Sequence, residues 1–103
     1  MSLIVIRGAG EMASGTAHRL YRSGYKVIMS ELPRPLAVRR TVSFAQAVFD
    51  ETCIVEDVPG QRTHSLQEAV ALTAQGKVAV YTKEIRGRDL VALNPAALVD
   101  ATM

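Results

Sequence analysis

The sequence predicts a single α/β domain over residues 1–103, with a mainly parallel sheet flanked by helices. Three observations carry that expectation. Short apolar runs at Ile4 to Ile6, Val27 to Met29 and Val78 to Tyr81 alternate with stretches of helical period. The first run stops at Gly8-Ala9-Gly10, and a helical pattern follows at once. The second run is closed by an acid, Glu31, 21 residues after Gly10. Strands that alternate with helices in this way are joined by crossovers and lie parallel.

The stretch Ile4-Val5-Ile6-Arg7-Gly8-Ala9-Gly10-Glu11-Met12-Ala13 holds a Gly-x-Gly-x-x-Ala turn between strand and helix. That order is the dinucleotide-binding fingerprint of a Rossmann βαβ unit. Gly8 takes the tight turn at the strand end, where a side chain would clash. Gly10 leaves the backbone open, so that a pyrophosphate can meet the N–H groups of the first helical turn. Ala13 is small enough for close packing of helix on strand. Ala17 and Leu20 continue the inward face of the helix, and Ser23-Gly24 stops it. Tyr25 to Ser30 reads as the second strand. The spacing of Glu31 suits a carboxylate that accepts hydrogen bonds from an adenosine ribose.

Leu32-Pro33-Arg34-Pro35 is then a stiff turn, because two prolines cannot continue a ladder. Leu36 to Thr41 forms a basic connector, and Ser43 caps a short helix through Phe44, Ala47 and Val48. Thr52 to Val58 has strand character, Pro59-Gly60 signals a turn, and Gln61 to His64 returns as the partner strand of a short β-hairpin insertion. Ser65 caps a further helix with Glu68 as its capping-box partner. The apolar face of that helix is Leu66, Ala69, Val70 and Thr73, and Gly76 ends it. Lys77 to Tyr81 is a buried-type strand. Ile85 to Asn94 is ambiguous, and Pro95-Ala96-Ala97 leads into a last strand, Leu98-Val99, closed by Asp100.

Composition narrows the function. Hydrophobic residues make up 49% and charged residues 21%, which fits a folded globular chain and no disordered one. The absence of a long apolar run or a signal-peptide layout makes a cytoplasmic location the expectation. Residues 1–40 carry seven basic and two acidic side chains, and residues 41–103 carry five and eight. The positive half therefore contains the phosphate-type turn, which suits an anionic small ligand. Five aromatic residues, not interleaved with the basic ones, disfavour nucleic acid. The lone Cys53 reads as a small buried strand residue, and His18 and His64 have no metal-ligand spacing.

Several side chains have two readings. Arg7 ends the first strand, at the edge where open α/β sheets bind ligands. It serves either as an anion contact or in a pairing with Asp100. Glu31 favours a free ribose hydroxyl and hence NAD, whereas Arg34 suits the 2′-phosphate of NADP. Glu11 complements the helix dipole and is expected to point away from a pyrophosphate. Arg39, Arg40, Thr41 and Ser43 either close over phosphates or form a solvated loop. Lys83-Glu84 and Arg86 to Asp89 read as an exposed mixed-charge loop. No nucleophile–base or paired-carboxylate arrangement is defensible.

Three strings, Val5 to Gly15 with Ala17-His18-Arg19-Leu20, Glu31 to Ala45, and Leu98-Val99-Asp100-Ala101, carry a resemblance over nearly the whole chain. They resemble the selenium-dependent molybdenum hydroxylase accessory family, the YqeB-like proteins. The resemblance implies a cytoplasmic bacterial protein tied to maturation or supply of the molybdenum hydroxylase cofactor. It also implies an NAD(P)-binding Rossmann unit, without an agreed reaction. Members of that family extend past the position of Met103, so the chain is expected to hold their N-terminal Rossmann portion.

The resulting expectation is a nucleotide-binding domain whose turn comprises Arg7, Gly8, Ala9, Gly10, Glu11, Met12 and Ala13. Glu31, Arg34, Arg39 and Arg40 supply further contacts. The ligand is NAD or NADP, with NAD preferred; S-adenosylmethionine or a pterin-linked molybdenum intermediate stay open. Binding would serve sensing, delivery or partner recognition, not turnover by this chain alone. Two alternatives remain. One is an NAD(P)-dependent oxidoreductase completed by a partner or dimer mate. The other is a structural Rossmann domain that binds a protein partner and no nucleotide. An exposed sheet edge would favour a homo-oligomer.

Overall fold

Strand and helix alternate through most of the computed structural model, which describes residues 2–8, 11–30, 51–55 and 57–100. The elements are β1 (Leu3–Arg7), α1 (Glu11–Arg22), β2 (Lys26–Ser30), β3 (Thr52–Val55), β4 (Val58–Thr63), α2 (Leu66–Ala74), β5 (Val78–Tyr81), α3 (Gly87–Leu93) and β6 (Ala97–Asp100). The six strands form one sheet in the order β3-β4-β5-β2-β1-β6. All neighbours are parallel except the β3–β4 pair.

The period-2 alternation of each central strand divides the core between two faces. On one face Ile4, Ile6, Val27, Met29, Val78 and Val80 pack with Ala13 and Ala17 of α1, and Leu20 and Tyr21 lie against them. On the other, Val5, Ile28, Ala79 and Tyr81 pack with Ala69 and Leu72 of α2 and with Ile85. Leu90 and Leu93 of α3 lie over that second cluster. Because both faces are covered, the interiors of the central strands are apolar at successive rather than alternate positions. Full burial of each such Val, Ile or Met contributes about 1.5–3 kcal/mol. The β1→β2 and β4→β5 crossovers travel in opposite directions along the sheet. Right-handed connections therefore place α1 and α2 on opposite faces.

Local sequence accounts for the helix ends. Gly24, at φ 96°, takes a left-handed C-terminal position after α1. Its N–H donates to Tyr21 O at 3.0 Å, and Tyr25 N–H donates to Leu20 O at 3.1 Å. Ser65 Oγ accepts from Glu68 N at 3.4 Å, which is the serine half of the expected capping box. The acidic half occurs elsewhere: Asp89 Oδ2 accepts from Arg86 N at 2.9 Å at the start of α3.

Several expectations need correction. The hairpin exists, but Pro59-Gly60 is not its turn. Val55 pairs with Val58, so the chain reverses between them, and Asp57 has a φ of 71°. Asp tolerates that left-handed conformation better than most residues, which is why no glycine marks the turn. Pro59 is accommodated inside β4 because pairing to β5 begins only at Gly60. Beyond Pro59, β4 joins the main sheet as a parallel strand and is more than an insertion. Val70 does not belong to the buried face of α2; it is 45% exposed, and Leu72 takes its place. Cys53 is half-buried rather than buried. The ambiguous segment contains α3, so Gly87 to Asp89 begin a helix, not a loop. The Ser43 helix lies outside the described residues.

Candidate functional site

In a parallel sheet, register decides which strand ends share a rim. Arg7 pairs with Ser30 on one side and Asp100 on the other; Ser30 pairs with Tyr81, and Tyr81 with Thr63. One row, Thr63–Tyr81–Ser30–Arg7–Asp100, therefore crosses five strands at their carboxyl ends. Register partners in a parallel sheet face the same way, and Arg7 alternates with Ile6. The row thus belongs to the face of Val5, Ile28 and Ala79, and it places a polar border on an apolar surface. Thr63, Tyr81 and Ser30 are buried, Arg7 is half-buried and Asp100 is exposed.

Gly8 follows Arg7 with a φ of 106°, a conformation open to glycine and costly for other residues. Its N–H donates to Ser30 O at 2.7 Å, which ties Gly8 to the end of β2. The backbone of α1 begins three residues later, at Glu11. Ala13 is 1% exposed and packs on the sheet, as its small size requires. The strand order descends through β5, β2 and β1 and then jumps to β6. Gly8 thus stands where the order reverses, and crevices at such points are where open α/β sheets bind ligands.

Arg7 does not settle on its strand neighbour. Nη2 donates to Ile85 O at 3.2 Å, in the connection between β5 and α3, and so spans the end of β2. Nε is buried and, among the described residues, has no hydrogen-bond partner. Leaving a buried donor unpaired costs about 1–3 kcal/mol, so this guanidinium is under-satisfied where it stands.

A second polar region lies farther along the same rim. Thr82 N and Oγ1 both donate to Thr63 O, at 3.1 and 3.4 Å. His64 Nδ1 lies within hydrogen-bond distance of the same Thr82 hydroxyl. His64 borders a polar groove of about 310 Å3 with Glu51, Thr52, Gln61, Arg62, Thr63 and Glu68. Much of its lining is already tied within the protein. Arg62 pairs with Glu51 at 3.0 Å, and Gln61 Oε1 accepts from Lys77 Nζ at 2.9 Å.

Of the residues expected at the site, Arg7, Gly8 and the start of α1 from Glu11 through Met12 to Ala13 are brought to one rim. Ala9, Gly10, Glu31, Arg34, Arg39 and Arg40 lie outside the described residues. Ser30, Tyr81, Thr82 and the Ile85 carbonyl escaped sequence reasoning. Strand-end position alone hints at the first two, and nothing short of register joins them to Arg7.

Fold and rim together define an α/β protein with Gly8 at the reversal of a mostly parallel sheet. Over 101 residues the chain is 46% identical to the uncharacterized protein YqeB of Escherichia coli (strain K12). The match takes in 98% of this chain and 18% of that protein, so the chain spans less than a fifth of its relative and is YqeB-like in sequence. No family model matches the chain, and no solved structure matches it. Among the described residues, no helix is long and apolar enough to cross a membrane.

Proposed function

We propose that the chain is a Rossmann-type domain that binds an NAD(P)-class nucleotide, within an accessory protein for molybdenum hydroxylase maturation. The observation that carries the nucleotide part is Gly8, which has a positive φ, donates to Ser30 O and stands at the point of strand-order reversal. There the first N–H groups of α1 are available to a pyrophosphate. The order β5-β2-β1-β6 corresponds to the 3-2-1-4 half of a dinucleotide fold, with the β3–β4 pair added outside it. The accessory role rests on the resemblance of the sequence to the YqeB-like proteins. On this reading the domain binds and presents a nucleotide in the cytoplasm.

The test is a thermal-shift screen against NAD, NADH, NADP, NADPH, S-adenosylmethionine and ATP. Binding at 100 times the dissociation constant adds about 2.7 kcal/mol, a visible rise for a domain of this size. A rise with nicotinamide dinucleotides, lost in Gly10→Val, is the expected result. No rise with any of the six removes the nucleotide reading. Nicotinamide turnover by the chain would replace the binding role with an oxidoreductase.

A further inference from the structure

Arg7 lies on the sheet face opposite α1, so a pyrophosphate at the N-terminus of α1 leaves the guanidinium unused. Its present hydrogen bond is to a neutral carbonyl, Ile85 O, and its Nε donor is buried without a partner among the described residues. Guanidinium matches carboxylate through two parallel N–H donors, and such charge-assisted pairs are stronger than a bond to a neutral carbonyl. A carboxylate that took the place of Ile85 O would satisfy Nε as well as an Nη donor.

We propose that Arg7 is the receptor for the carboxylate of a small organic acid bound beside the nucleotide, on the α2 and α3 face of the rim. The location beside a nucleotide rests on the reading above; the carboxylate contact rests on Arg7 itself. Capture of the acid releases Ile85 O. Occupancy is thereby transmitted to the β5–α3 connection, where Arg86 N and Asp89 define the start of α3.

The experiment is an NMR titration of the full chain with sodium lactate, with ionic strength held constant by sodium chloride. It follows the Arg7 Nε–H and the amides of Glu84, Ile85 and Arg86. Saturable shifts at these positions are expected. Arg7→Lys, which keeps the charge and loses the fork, should bind lactate about tenfold more weakly, the effect of one hydrogen bond to a charged group. Absence of saturable shifts in the unmutated chain overturns the proposal without recourse to any variant. So does equal affinity in Arg7→Lys. A parallel NAD titration separates the two readings. Lactate binding without NAD binding sustains the carboxylate contact and removes only the nucleotide; NAD binding without lactate binding overturns this proposal and leaves the nucleotide.

Discussion

Arg7 and Asp100 end neighbouring parallel strands as register partners, yet the Arg7 guanidinium reaches across β2 to Ile85 O at 3.2 Å. A side chain held by one neutral acceptor with a buried unpaired donor contributes little to stability. Arg7→Met should therefore change unfolding free energy by less than about 1 kcal/mol, because it removes the bond and the orphaned donor together. Urea denaturation measures this. A loss of about 3 kcal/mol or more would identify Arg7 as a structural strap instead.

Gly8 is under a different constraint. At φ 106° any other residue is strained, so Gly8→Ala should cost about 1–3 kcal/mol and weaken the bond from its N–H to Ser30 O. Gly10→Val is expected to differ, blocking nucleotide while the fold survives. Equilibrium unfolding and nucleotide titration of both variants separate conformational strain from loss of the binding surface.

Ile28 sits in β2 between Val5 and Ala79 and is fully buried. Ile28→Ala removes packing from the centre of the α2 face and should cost about 2–5 kcal/mol. Chemical denaturation gives the value, and a cost under 1 kcal/mol would mean that this strand is not central.

The location of the hairpin turn is testable through Asp57. At φ 71°, a β-branched residue is strained and Asn is not, so Asp57→Val should be about 1–2 kcal/mol less stable than Asp57→Asn. Equal stability of the two variants would place the reversal elsewhere.

Ser65→Ala should lose about 1 kcal/mol by removing the acceptor for Glu68 N at the start of α2. Ser65→Asp restores an acceptor and should recover the loss in thermal melts.

Sequence alone determined the parts of the protein that depend on near neighbours along the chain. The β1–glycine–α1–β2 unit, the Gly24 stop, the Ser65 cap and the run from Val78 to Tyr81 each follow from backbone preference, hydrogen-bond supply or apolar period within a few residues. Those forces act over one helical turn or one strand, so a local window contains their cause. The reversal between Val55 and Val58 lay beyond such reading because Pro59 and Gly60 are the stronger local signals, and pairing with β5 from Gly60 onward overrides them.

Tertiary structure decided the composition of the rim. Thr63, Tyr81, Ser30, Arg7 and Asp100 come from five strands dispersed through the chain. They form one row because interstrand register and right-handed crossovers fix which carboxyl ends stand side by side. The choice of Ile85 O as the Arg7 acceptor was decided in the same way, for that carbonyl is 78 residues away along the chain and adjacent to the guanidinium only after folding.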